Sequence, residues 1–287
     1  MSKFVLLYTF HRLDDLSLKR LKHLKSMNHD TIIVPCFGVK QNIYIPIIFN
    51  VWEPVTSFIN WNCLRPSSIF RLNEIFNKKL ELFRRRTELN EIGKIIRLNN
   101  MILYYDFTPM GYRNLDLSMI KWFSNEGKKL DFEYCILYEY DIYTTKIIED
   151  IYDKYTKFDA AFVNYGIALP NWYWYRYPPG ARGSTLRWLK KKGLKPLIYM
   201  CSPFAGSMVS KNALENLVDL NLPFGISEMR LPTVLTALGF NCGRLDFPKV
   251  RYRPICSKTE VEDNLNNGIF HPVYDFIENR AREVNKI

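Results

Sequence analysis

The chain has 287 residues, 47% of them hydrophobic and 24% charged, with 15% aromatics and a formal net charge of +11. Such a length buries a full core as one large α/β domain or two small ones, and the composition is that of a globular chain. The six cysteines are scattered with no CxxC pair, which excludes a zinc-ribbon or disulfide framework and leaves reduced core residues such as Cys135.

In chain order, FVLLYTF (4–10) predicts a first strand. It is far too short to cross a bilayer, which takes roughly 20 apolar residues. Polar His11, Arg12, Asp14 and Asp15 follow at once, unlike a cleavable signal, so the expected location is cytoplasmic. Leu13, Leu16, Leu21 and Leu24 fall near helical spacing, and TIIVPCFGV predicts a second strand ended by Pro35 and Gly38. This βαβ opening predicts a parallel sheet with ligands at the carboxyl ends of its strands. Residues 41–66 read as irregular, and 67–98 as a basic helical insertion or lid. MILYYDF (101–107) predicts a third strand, and NLDLSMIKWFSNEG a helix that Asn114 or Asp116 can cap. The apolar run FEYCILYEYDIY then predicts a strand ending in Glu139 and Asp141. TTKIIEDIYDKY (144–155) reads as a helix capped by Thr144 or Thr145, and DAAFVNYG (159–166) as a strand. LPNWYWYRYPPGARGS (169–184) is an aromatic loop rich in Pro and Gly. AGSMVSKNALENLVDL predicts a strand feeding a helix with Ser210 as N-cap, and ISEMRLPTVLTALG a helix that starts near Ser227 and closes at Gly239. No repeat, low-complexity tract or linker interrupts the chain, so one domain over 1–287 is expected.

Residues two apart in a strand share a face. On that spacing Glu139 and Asp141 repel each other unless a cation, water or a donor intervenes. A divalent ion with oxygen ligands resolves the conflict and commonly bridges substrate phosphates; a solvated strand end is the plainer reading. Three of the four histidines lie within the first 29 residues, where His23 and His29 read as helix surface; the fourth, His271, stands in NGIFHPVYDF. Imidazole is a natural partner for carboxylates around Mn²⁺. Glu228 suits the first turn of a helix, where the dipole favours an acid by roughly 0.3–1 kcal/mol, and a general base over a pocket equally. Trp172, Tyr173, Trp174 and Tyr175, beside Arg176 and Arg182, offer flat platforms for a sugar ring or a base. Gly206 and Ser207 in SPFAGSMVS leave room for a ligand to approach the backbone. The basic runs FRRR (83–86) and LKKKGLK (189–195) suit a phosphorylated substrate, and a peripheral membrane contact through them stays open.

In order, these pieces resemble the GT-A fold glycosyltransferases, which move a sugar from a nucleotide diphosphate donor. The resemblance covers most of 1–275 and rests on the opening βαβ, EYDIY, PFAGSMVS, SEMRLPT and FHPV. It implies an α/β GT-A fold with a mostly parallel central sheet flanked by helices, its nucleotide-binding part about 1–143 and its acceptor-binding part about 144–287. The family's Asp-any-Asp motif falls on Glu139-Tyr140-Asp141. Asp141 and His271 would then hold Mn²⁺ or Mg²⁺, and Glu139 would support the ribose or a metal-bound water. Thr9, Phe10 and Arg12 match the loop that embraces the nucleotide, and Trp172, Trp174, Arg176, Gly206 and Ser207 the acceptor side. Glu228 matches the base of inverting members. The first motif carboxylate is Glu here, and VPCFGV has no Asp to contact a uracil, which leaves uridine, guanosine and thymidine diphosphates open. The implied partners are a nucleotide-diphosphate sugar donor and a glycan or other hydroxyl acceptor, with no stable nucleic acid. A pyrophosphorylase is disfavoured because YTFHRLDDL lacks the expected glycines. A catalytically silent nucleotide-sugar binder and a single-stranded nucleic-acid binder are the alternatives.

Overall fold

A computed structural model of the chain describes residues 2–10, 15–38, 104–106, 115–176 and 180–274. The expectations for 41–98, for the FRRR run, for Arg12 and for Asn114 lie outside the described residues. Strand β1 (Ser2–Phe10) leads through helix α1 (Asp15–Met27) to β2 (Ile32–Gly38), as the leucine spacing predicts. Then come β3 (Tyr104–Asp106), α2 (Leu115–Asn125), β4 (Phe132–Glu139), β5 (Tyr143–Thr144), α3 (Ile148–Tyr152), β6 (Ala160–Val163) and β7 (Gly166–Ile167). Two helices, α4 (Tyr173–Arg176) and α5 (Ala181–Lys191), precede β8 (Tyr199–Met200) and β9 (Met208–Ser210). The chain continues with α6 (Lys211–Val218), α7 (Ser227–Ala237), β10 (Cys242–Leu245), α8 (Lys258–Glu262) and β11 (Ile269–Phe270).

One sheet of seven strands carries the structure, in the order β10-β6-β9-β4-β1-β2-β3. It is mixed and mostly parallel: β9 alone runs against both of its neighbours, β4 and β6. The alternation of side chains along β1 builds two cores. Phe4, Leu6, Tyr8 and Phe10 point to one face, where Leu21 and Leu24 of α1 and Ile148, Ile151 and Tyr152 of α3 cover them. Val5 and Leu7 point to the other, under Met119, Trp122 and Phe123 of α2, Leu214 and Leu217 of α6 and Val234 of α7. A sheet covered on both faces explains why its strands read as continuous apolar runs. This is an α/β architecture with helices on both faces of the sheet; the nucleotide-sugar transferase fold is compatible with it, and so are other α/β folds.

Local signals held where the partner is local. Ser210 caps α6 by accepting the Ala213 N–H at 3.2 Å. Gly239, at φ +89°, ends α7, and the Phe240 N–H returns to the Leu235 carbonyl at 3.1 Å. Other expected caps go elsewhere. Thr144 is a buried residue of β5, and Thr145 donates to the Leu265 carbonyl; the Ile148 N–H at the start of α3 is instead met by Asn28 Oδ1 at 2.7 Å. His29 lies past the end of α1, while His23 stacks on Tyr143 with centroids 5.0 Å apart.

Asp116 is the clearest correction, whereas α7 starts at Ser227 as the sequence predicts. Ile226 occupies the N-cap of α7, and the Ser227 hydroxyl donates to Asp116 Oδ1 at 3.0 Å. Asp116 is fully buried inside α2 and holds Arg230 through two bonds, one of them Nε to Oδ2 at 2.7 Å. Arg230 spends a third donor on the Gly225 carbonyl at 3.0 Å. Asp116→Ala leaves a buried guanidinium without its counter-ion, which costs about 3–5 kcal/mol. Urea unfolding of that variant should show this loss, seen as a lower midpoint at unchanged slope.

Candidate metal and acid–base site

Strand order reverses at β1: its chain neighbour β2 lies on one side and β4 on the other. In open α/β sheets the crevice at such a switch point, beyond the carboxyl ends of the strands, is where ligands bind. Here Thr9 at the end of β1 pairs in register with Glu139 at the end of β4. The strand stops at Glu139; Tyr140 and Asp141 form a turn closed by Ile142 N–H to the Glu139 carbonyl at 3.0 Å. The two carboxylates therefore meet through a turn and not through strand alternation, which corrects the expectation from spacing.

The third member arrives from the other end of the chain. β11 pairs antiparallel with β5, Phe270 opposite Tyr143 and Ile269 opposite Thr144, so His271 comes level with Ile142. The Val273 N–H donates to the Asp141 carbonyl at 2.9 Å, and His271 itself is held by N–H to the Lys249 carbonyl at 2.9 Å. Buried Arg20 of α1 fastens both segments, donating to the carbonyls of Ile142 at 3.4 Å and Val273 at 3.0 Å. One ligating atom from each of Glu139, Asp141 and His271 lies within 4.8 Å of the others.

These residues fit a divalent cation. His271 Nδ1 faces the Arg251 carbonyl at 2.9 Å. A carbonyl only accepts, so Nδ1 carries a proton and Nε2 is turned to Asp141 Oδ1, 3.3 Å away. That buried oxygen has no directed hydrogen bond. Burial and the charge of Asp141 push Glu139 up to about 8, the mark of two carboxylates that cannot both ionise unaided. Burial also acts against charge on Asp141, but His271 holds its carboxyl below the ordinary range. Burial opposes a charged imidazole, yet the two carboxylates raise His271 to about 9. A cation in place of the proton on Nε2 meets the same two carboxylates. One imidazole with two carboxylates suits Mn²⁺, and Mg²⁺ through the oxygens.

Glu228 lies in the first turn of α7, buried. Pro232 in that helix has no N–H to offer the Glu228 carbonyl four residues back, and the Cys201 N–H bonds that carbonyl instead at 2.9 Å. Burial lifts the Glu228 carboxyl to about 7. The Tyr252 hydroxyl donates to Glu228 Oε1 at 2.7 Å, and Trp174 Nε1 donates to that hydroxyl at 3.4 Å. Tyr252 directly follows Arg251, the residue whose carbonyl orients His271. A single short stretch thus touches both the imidazole and the candidate base. Sequence reasoning missed Tyr252, Arg20 and Asp116 as supporting residues; only a Tyr beside two arginines in VRYRP hinted at the first.

The remaining expected residues fall in three groups. Trp174 reaches the site through Tyr252, while Trp172 packs on the small cluster of Ala168, Leu189, Ile198, Ile226 and Met229, and Arg176 is exposed. Phe10 is buried in the main core, and the Thr9 hydroxyl donates to the Tyr138 carbonyl at 3.0 Å. Gly206 has a structural reason of its own: at φ +82°, an added Cβ would stand 3.4 Å from the Tyr152 hydroxyl. Ser207 beside it is buried and donates to the Phe204 carbonyl. Comparison with models of known protein families and with curated proteins finds no match.

With its carboxyl lifted to about 7 by burial, Glu228 is mostly ionised, and so able to take a proton, above that pH. Any reaction that uses Glu228 as base should gain rate as pH rises through 7. The Tyr252 hydroxyl stabilises the ionised form, so Tyr252→Phe should move that limb to higher pH, read from kcat/KM against pH.

Proposed function

We propose that the chain is a metal-dependent glycosyltransferase that moves a sugar from a nucleotide diphosphate donor to an acceptor hydroxyl with inversion. The reading is carried by one observation: two carboxylates and an oriented imidazole converge at the sheet's switch point, and residues 249–252 link them to a buried acid. Asp141 and His271 would hold the cation, with Glu139 beside them. When bound, the cation neutralises negative charge developing on the departing nucleoside diphosphate. Glu228 takes the proton of the acceptor hydroxyl as the oxygen–anomeric carbon bond forms and the carbon–phosphate oxygen bond breaks. Tyr252 fixes the Glu228 carboxylate, and burial keeps its affinity for a proton near neutrality. Thr9 stands at the donor end beside Glu139. Trp174, its ring packed on the small apolar cluster, supports Tyr252 through its indole N–H. With one carboxylate on the acceptor side, the displacement needs no covalent intermediate.

The test is a melting-temperature panel of nucleoside diphosphates and nucleotide sugars with and without Mn²⁺. A ligand at 100 times its dissociation constant adds about 2.7 kcal/mol, so the cognate donor should raise the melting temperature only when the ion is present. Asp141→Ala should lose that dependence. Glu228→Gln should keep it while transfer falls by about 10²–10⁴-fold. Unchanged nucleotide affinity in Asp141→Ala removes the cation from the reading, and normal turnover in Glu228→Gln removes the base.

A further inference from the structure

Between β6 and β9 the chain leaves the main sheet to build a small layer of its own. β7 pairs with β8, α4 packs against α5, and their apolar side chains close over Leu189, Ile198 and Met229. Its charge is one-sided. No Asp or Glu occurs between Asp159 and Glu215, while seven Lys or Arg residues fall between 166 and 200. Helix α5 sorts them: Ala181, Thr185 and Leu189 are buried at every fourth position, and Arg187, Lys190 and Lys191 occupy the opposite, exposed side. Among the described residues none of these three cations, nor Lys192 or Lys195, is in an ion pair.

The same layer carries the most exposed large apolar side chains of the described residues: Ile167 at 55%, Leu169 at 57% and Tyr173 at 64%. Trp172, Trp174 and Tyr175 lie half-buried against the cluster under the same layer, and the Arg182 guanidinium sits 4.6 Å from the Tyr175 ring centroid. Exposed aliphatic tips, half-buried Trp and Tyr and cations outside any ion pair, all in one small layer, match the chemistry of a bilayer surface from headgroup to acyl boundary. Single-stranded nucleic acid stacks on ring faces, and two of the three most exposed side chains, Ile167 and Leu169, are aliphatic and offer it nothing. Among the described residues no helix is long and apolar enough to cross a membrane, so such contact is interfacial.

We propose that the layer of β7, α4, α5 and β8 docks on an anionic lipid bilayer, with Ile167, Leu169 and Tyr173 entering the interface and the α5 cations binding the headgroups. The inference does not rest on the transferase reading.

Co-sedimentation of the full chain with vesicles tests it, using phosphatidylcholine alone against phosphatidylcholine mixed with phosphatidylglycerol. The chain should partition onto the mixed vesicles and stay in solution with the neutral ones. Each cation near an anionic surface is worth about fivefold in partition, so the combined Lys190→Gln, Lys191→Gln and Lys192→Gln variant should bind about a hundredfold more weakly. Leu169→Ser should lose about tenfold, and that loss should persist at high salt, where the cations are screened. All four positions are exposed or border solvent, and an unchanged melting curve for each variant establishes that folding is intact. Equal partition onto neutral and anionic vesicles, or unchanged partition in either variant, overturns the proposal. So does a chain that ignores both vesicles yet binds a single-stranded oligonucleotide through the same lysines.

Discussion

The return of the C-terminal segment across the tip of β4 is the constraint on which the candidate site depends. Glu139 and Asp141 repel each other, and burial makes the repulsion worse. Neither side chain has to secure its own position. Asp141 is placed by its carbonyl, which accepts from Val273, and His271 by its N–H on Lys249 and its ring on the Arg251 carbonyl. Arg20 then clamps the two segments through the carbonyls of Ile142 and Val273, with its guanidinium over the Tyr143 ring. The electrostatic conflict is thus confined to three side-chain tips on a frame that does not require it to be relaxed, which is the preorganisation a cation site needs.

A second frame of the same kind carries Glu228. A helix start is unfavourable to bury, because its first N–H groups lack partners. Here the buried start of α7 is tied to α2 by Ser227 and Arg230 on Asp116, and to the β8 end by Tyr199, whose N–H and carbonyl both bond Thr233 Oγ1. The proline that breaks the helical ladder at position 232 frees the Glu228 carbonyl for Cys201. Exchanging a buried ion pair for apolar residues is often neutral for stability, so Asp116–Arg230 does not explain itself as a stabiliser. Its geometry fixes where α7 begins, and therefore where Glu228 points.

How much of this the sequence disclosed follows from the range of each interaction. β1, β2, β4 and β6 were legible because a buried strand writes its period into consecutive residues, and Ser210 and Gly239 because caps act within a turn. Asp141, a member of the candidate cluster, was misread as a strand residue, since a turn after Glu139 and one more strand position look alike in EYDIY. Asp116 and Ser227 suit helix starts in isolation; 111 positions apart, they spend those groups on each other. Arg20 hides in an ordinary amphipathic helix, and the carbonyls it bonds across the fold are backbone groups, which no side-chain pattern reveals. Tyr252 hides because its partner Glu228 comes from another element and the link is a single hydroxyl.

Trp174 belongs to both halves of the structure. Its ring packs against the layer that holds the basic helix α5, and its indole N–H bonds the Tyr252 hydroxyl that holds Glu228. Displacing α4 would withdraw that donor from Tyr252 while leaving the three residues at the tip of β4 on their own backbone frame. The acid–base end is therefore coupled to the aromatic layer directly, and the cation end only through the Arg251 carbonyl next in the chain to Tyr252. A contact made by the layer would reach Glu228 through one indole and one phenol, Trp174 and Tyr252.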